Sequence, residues 1–204
     1  MCAQLNERMQ ARMNKRVITE FSQFHKEKHK ASKGDDKTMT YIDAVQIDGN
    51  PRHIQLVIRG PKDSPYEGGY FDFRIFMTSD YPSKPPMVNL RTKIYHPNIS
   101  GRGDICLNIL KDTTEKVDGW SPTISLKNLA ISLLSLLEEP NIDDPLNINV
   151  TKVFKSDPEK ARITAKEWTS AYASNDPKLS YNSAGDGAES KNHTEKTKEA
   201  TTAQ

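Results

Sequence analysis

One thiol, Cys106, lies near the end of an irregular stretch that reads Tyr95-His96-Pro97-Asn98-Ile99-Ser100-Gly101-Arg102-Gly103-Asp104-Ile105-Cys106-Leu107. A lone cysteine is more often a small buried hydrophobe than a nucleophile, so its neighbours have to decide. Gly101 and Gly103 predict irregular backbone that leaves Cys106 on a loop, where a bulky acyl group can approach. Asn98 lies eight residues upstream, and its primary amide is a competent donor toward the oxyanion formed when an amine or thiol attacks a thioester carbonyl. His96 suggests a Cys–His pair of the protease kind. Followed by Pro97, it reads equally as a structural residue bonded to nearby backbone, and no protease-like context surrounds Cys106.

No metal is expected. His25 and His29 have the spacing of a helical metal site, but no third ligand is in view and solvated polar residues are the better reading. The only other cysteine is Cys2, far from Cys106 in sequence, which excludes a disulfide framework and a paired-cysteine zinc site. Cys2 is expected to be inert or disordered.

The elements that must position Cys106 follow from periodicity. Leu5, Met9, Met13, Val17, Phe21 and Phe24 recur at helical spacing and predict an amphipathic helix over residues 4–28. The polar stretch 31–38 contains Gly34 and reads as a loop. From Tyr41 the period becomes two, Asp48-Gly49 signals a hairpin, and strands follow at 52–59, 70–77 and 87–90. Four consecutive strands predict an antiparallel meander. Ser125 is placed to cap a strongly apolar helix carrying Leu126, Leu129, Ala130, Leu133, Leu134, Leu136 and Leu137, ended by Pro140 and expected to be the central buried one. Two more helices fit 149–155 and 158–173, with Asp157-Pro158 as a start signal. The fold class is α+β.

The chain has 204 residues, enough for one domain with tails. Its 29 basic and 27 acidic residues give a net charge of +2, too balanced for a dedicated nucleic-acid binder. The basic excess is local: residues 1–40 hold nine Lys or Arg against five Asp or Glu, either a solvated helix face or a docking surface. No apolar run approaches the roughly 20 residues that cross a bilayer, so no membrane association is expected and the cytosol or nucleus is the expected location. Beyond Ala173 the sequence has almost no large apolar residue, which predicts a disordered tail over 174–204.

The motifs taken in order carry a resemblance. His96-Pro97-Asn98 precedes Gly103-Asp104-Ile105-Cys106-Leu107. Upstream stand Gly60-Pro61, Ser64-Pro65-Tyr66-Glu67-Gly68-Gly69 and Tyr81-Pro82-Ser83-Lys84-Pro85-Pro86. Downstream stand Trp120-Ser121-Pro122, Pro140-Asn141-Ile142-Asp143-Asp144-Pro145-Leu146 and Glu167-Trp168-Thr169. In this order and over about residues 15–173, the chain resembles the ubiquitin-conjugating enzymes. Residues 1–14 then form an extension of the first helix, and 15–173 the catalytic domain.

The resemblance implies a relay in which an activating enzyme spends ATP to load ubiquitin or a ubiquitin-like modifier. Cys106 takes it by thioester exchange, and a ligase directs it to lysines of substrate proteins. No cofactor binding to this chain itself is implied, and a monomer is expected. By the same resemblance Asn98 stabilises the oxyanion or braces the loop, and Asp144 positions the incoming lysine or helps remove its proton. Asp143-Asp144-Pro145 also reads simply as a turn. Tyr95, His96, Leu107 and Asn108 are implied to shape the groove, and Trp120 to serve packing. Lys15, Arg16, Ser83, Lys84, Pro122 and Thr123 occupy the positions of the ligase and activating-enzyme surface.

Three features depart from the family pattern. Ser83 stands where many members present a large apolar anchor, and Thr19 where a basic residue is frequent. Residues 111–119 make a longer connection than in the shortest members, read as a tolerated insertion or as an acidic patch (Asp112, Glu115, Asp118) that steers an incoming lysine or biases chain formation. Two alternatives accompany the main reading. A conjugating enzyme for a Nedd8-type modifier is suggested by Cys106-Leu107-Asn108-Ile109-Leu110 and Pro145-Leu146-Asn147. A catalytically silent ubiquitin-binding variant is disfavoured by the presence of Cys106 and Asn98.

Overall fold

The computed structural model describes residues 2–31, 38–112 and 119–177. Glu115, Asp118, most of the expected loop at 31–38 and most of the expected tail lie outside these. Four helices and four strands follow in the order α1 (Cys2–Ala31), β1 (Ile42–Gln46), β2 (His53–Arg59), β3 (Tyr70–Phe76), β4 (Met87–Leu90), α2 (Leu126–Glu138), α3 (Ile148–Ser156) and α4 (Pro158–Tyr172). This is the expected α+β arrangement.

The strands pair antiparallel in sequence order. Asp48 and Gly49 both take left-handed backbone (φ 52° and 65°), the twist that a tight turn between right-twisted strands requires. The register sets Ile42 opposite Ile58, Leu56 opposite Phe73 and Phe73 opposite Leu90. Alternation therefore gathers Ile42, Ala44, Ile54, Leu56, Ile58, Phe71, Phe73, Ile75 and Leu90 on one buried face. They share one core with Met13, Val17 and Phe24 of α1 and with Leu126, Leu129, Ala130, Leu133, Leu134 and Leu137 of α2. Ser125 and Asn128 form a reciprocal cap at the start of α2, each side chain accepting from the other's backbone N–H at 3.3 Å. Helix α1 outlasts its expected end because Lys28, His29 and Lys30 complement the negative end of its dipole.

Glu20 of α1 ties the helix to two loops. One carboxylate oxygen accepts from the Tyr81 hydroxyl (3.0 Å) and from the Leu126 backbone N–H (3.0 Å), and the other accepts from Arg16 Nε (2.7 Å). The Arg16 guanidinium also donates to the Pro122 carbonyl. Trp120, 2 % exposed, packs against Tyr81 and donates its indole N–H to the Pro82 carbonyl at 2.7 Å. Trp120 is thus a packing residue, as expected. Burial first, and then the Glu20 charge, raise the Tyr81 hydroxyl far above its ordinary range, so it remains a donor. Replacing Glu20 by Ala should cost about 2 kcal/mol, because several partly buried donors lose one acceptor together. Urea unfolding monitored by Trp fluorescence measures it.

Candidate active site

The segment after β4 is strapped back onto the sheet. Gly103 has φ 85°, and a Cβ there would lie 1.9 Å from the Leu90 carbonyl oxygen, so only glycine allows the approach. The Leu90 N–H donates to the Gly103 carbonyl (2.9 Å), and single bridges pair Asn89 with Asp104 and Ile99 with Ile105. Cys106 leaves this strap as a free, partly exposed thiol. Its N–H donates to the Asn98 carbonyl at 2.8 Å, and a single helical turn, Asn108–Leu110, follows.

Asn98 is fully buried and every polar group of its amide is occupied. Its Nδ2 donates to the carbonyls of Asn141 (2.7 Å) and Asp144 (3.0 Å), while its Oδ1 accepts from the Asn141 N–H (2.9 Å). Asn141 Oδ1 in turn accepts from the N–H groups of Asp143 (3.1 Å) and Asp144 (3.3 Å). Pro97 adds its carbonyl, which accepts from Leu146 N–H (3.0 Å) and Asn147 N–H (2.8 Å). The 141–144 turn is thereby locked beside the Cys106 strap.

The two neighbouring acids diverge. Asp143 is almost wholly exposed, with Lys155 at a loose 3.8 Å, whereas Asp144 turns inward and forms an ion pair through Oδ2 with the ammonium of Lys111. Both share the turn that sequence suggested, but only Asp144 also faces the thiol side. Lys111 has its pKa raised, chiefly by the hydrogen bond to Asp144, against partial desolvation, with the adjacent Cys106 sulfur adding to the rise. Cys106, Asn98 and Asp144 are thus brought together, with Lys111 among them.

An open groove of about 750 Å³ is lined by Leu107, which follows the thiol in sequence, and by Ser135, Leu136, Pro140, Asn141 and Ile142 among others. Of the four residues expected to shape a groove at the thiol, Leu107 lines this one. His96 is fully buried beneath it, because its ring spans two backbone groups: Nε2 lies 2.9 Å from the Leu136 carbonyl and Nδ1 accepts from the Asn98 N–H at 3.0 Å. A carbonyl can only accept and an amide only donate, which fixes the neutral tautomer with its proton on Nε2. Tyr95 turns toward the C-terminal helices and packs on Phe154 and Trp168 at 6.2 and 5.7 Å between ring centroids. Asn108 is partly exposed on the single turn after Cys106.

On the opposite flank Lys15, Ser83, Lys84, Pro122 and Thr123 are exposed, while Arg16 is partly buried in its contacts with Glu20 and Pro122. Thr19 folds its hydroxyl back onto the Lys15 carbonyl (2.8 Å). Among the described residues no three His, Cys, Asp or Glu stand close enough to hold a metal ion. His25 lies edge-on to Phe21 and Phe24, and its pKa is lowered by burial and by Lys28.

Sequence reasoning missed Lys111 as a site residue because it read the 111–119 tract for its acids alone. The nearest signal is its place just past the turn that follows Cys106.

Burial lowers the His96 pKa to about 4, opposed by the Leu136 carbonyl. The folded state therefore refuses a proton that the unfolded chain takes up near its ordinary value of about 6.5. This contribution is complete above that value and is lost as pH falls toward 4, at up to about 1.4 kcal/mol per pH unit. Urea midpoints measured between pH 7 and 4.5 should fall more steeply for the wild type than for His96→Asn.

The comparisons with known proteins agree with this geometry. The family profile for ubiquitin-conjugating enzyme matches residues 23–169. Ubiquitin-conjugating enzyme E2 N of Drosophila melanogaster is 42 % identical over 135 residues, covering 66 % of this chain and 85 % of that protein. The solved E2 domain of a Toxoplasma gondii ubiquitin conjugating enzyme superposes with a TM-score of 0.64 at 32 % identity, covering 78 % of this chain and 97 % of that one. With its order of motifs, its α+β meander and its strapped cysteine beside a locked Asp turn, this chain belongs to the ubiquitin-conjugating enzyme family.

Proposed function

We propose that Cys106 accepts ubiquitin from an activating enzyme as a thioester and passes it, with a ligase, to lysines of substrate proteins. The observation that carries this reading is the partly exposed Cys106 thiol, held on a rigid strap with Asp144 locked beside it. The Cys106 thiolate attacks the activating enzyme's thioester carbonyl, and that enzyme's thiolate leaves. In the second step a lysine amine attacks the carbonyl carbon on Cys106, the C–S bond breaks, and the amide product departs from a regenerated thiolate. Exchange between thioesters is nearly isoenergetic, so the site has mainly to orient its reactants and stabilise charge.

The residues divide that work. Asn98, with its amide already saturated by Asn141 and Asp144, acts as the brace that keeps turn and strap in register. Asp144 receives the incoming lysine and its departing proton, which a carboxylate at the mouth of the site is suited to do. No base is assigned to the thiol, since His96 is buried and committed to backbone. The exposed Lys15, Ser83, Lys84, Pro122 and Thr123, with Arg16 tying helix to loop, form the surface for activating enzyme and ligase. Ser83 supplies no apolar anchor there, which favours ligases that grip by polar contacts. The chain needs no cofactor of its own and works as a monomer in the cytosol or nucleus, with ATP consumed by the activating enzyme.

Incubation with activating enzyme, ATP and either ubiquitin or a Nedd8-type modifier, followed by a non-reducing gel, tests the reading. Ubiquitin should give a thiol-sensitive adduct that is absent in Cys106→Ala and becomes a thiol-resistant ester in Cys106→Ser. Charging by the Nedd8-type modifier alone would reassign the modifier. No charging by either, beside a control enzyme that charges, would remove the enzymatic reading.

A further inference from the structure

Asp144 already holds an ammonium group. Lys111 reaches it from the far side of the thiol loop, and both ends of that reach are anchored. The Lys111 N–H donates to the Asn108 carbonyl (2.9 Å) and its own carbonyl accepts from the Trp120 N–H (2.8 Å). The Asp144 N–H is held by Asn141 Oδ1 (3.3 Å) and its carbonyl by Asn98 Nδ2 (3.0 Å). Between two backbones held in this way, the pair can part through the side chains alone, chiefly the long four-carbon stem of Lys111. Side-chain exposures of 23 % for Lys111 and 39 % for Asp144 leave the pair partly screened, so its ammonium can be displaced without a large barrier. The same ammonium lies next to the Cys106 sulfur.

We infer that Lys111 is a tethered occupant of the acceptor-lysine seat: it neutralises Asp144 beside Cys106 and has to be displaced before an incoming lysine can use that carboxylate. This rests on the proposal that Cys106 carries the thioester and Asp144 receives the acceptor. Two ammonium groups cannot share one carboxylate without repelling each other at contact distance. A free amine brings nothing with which to offset the displacement. A lysine on a docked protein brings binding energy from elsewhere, so the tether selects acceptors delivered by a partner over those that collide. Lys111 is a positioning residue here. The acceptor ammonium loses one proton to solvent to become the amine, the amine nitrogen bonds to the thioester carbonyl and gives its second proton to Asp144, and the C–S bond breaks with Cys106 leaving as thiolate, while the displaced Lys111 stays protonated and unmodified.

The experiment charges the full chain with ubiquitin, quenches the activating enzyme, and follows loss of the thiol-sensitive adduct upon adding free L-lysine. Lys111→Met should discharge roughly two- to fivefold faster than wild type, the range expected for releasing a partly exposed ion pair. Lys111→Arg, which restores the cation, should abolish that gain. In an Asp144→Asn background the Lys111→Met substitution should give a ratio near one, since no carboxylate remains to be freed.

Unchanged or slower discharge in Lys111→Met would overturn the inference, as would a gain that persists in full with Asp144→Asn. Failure of the wild-type chain to form any thiol-sensitive adduct would instead overturn the reading beneath it, and the two failures are distinguished by the charging lane alone.

Discussion

A buried primary amide has two donors and an acceptor that must all find partners once water is excluded. Asn98 finds them in carbonyls and an N–H from a turn more than forty positions away in sequence. That requirement joins two segments that neither the sheet nor the helices connect. Because the partners are backbone groups, the contact fixes the path of the 141–144 turn rather than the rotamer of one side chain. The carboxylate of Asp144 is consequently delivered by main-chain geometry. Directly below, the His96 ring bridges the Leu136 carbonyl and the Asn98 N–H, so α2 is held in the same network. The groove wall at Leu136 and the acid at Asp144 are thus referred to one buried origin.

A second junction works by the same physics at the other end of the helix. Glu20 gathers Tyr81, Arg16 and the Leu126 N–H around one carboxylate, so the first turn of α2 and two surface loops are tied to α1. The leucine-rich helix between the two junctions is a rigid strut, carrying seven buried residues. Its capping box sits at one end and its contact with His96 at the other. The exposed loops at Ser83 and Pro122 and the thiol strap are therefore mounted on a common support.

What sequence revealed was local. The Asp48-Gly49 turn, the Ser125 cap and the alternation of Phe71, Phe73 and Ile75 each depend on a few consecutive residues, and each element stands where its pattern placed it. The thiol loop was legible for the same reason, since Gly101 and Gly103 interrupt any regular period. What stayed hidden was pairing at long range. Whether His96 was base or brace depended on burial by α2. The ion pair between Lys111 and Asp144 spans 33 positions, and Asn98 from a third segment holds the turn that carries its acid. Tyr95 sits in the motif beside His96, yet its ring goes to Phe154 and Trp168, partners contributed by helices that the motif does not contain.

The burial of His96 and the position of Lys111 together define the electrostatics at the thiol. A histidine next to cysteine would supply a cation that titrates near neutrality. This fold removes that option by enclosing the imidazole and holding it neutral. The positive charge at the sulfur comes instead from a lysine whose pKa is raised by its acid, so it does not switch in the physiological range. Held in this way, Lys111 keeps its charge beside the thiol across that range, which an imidazole in the same place would not do.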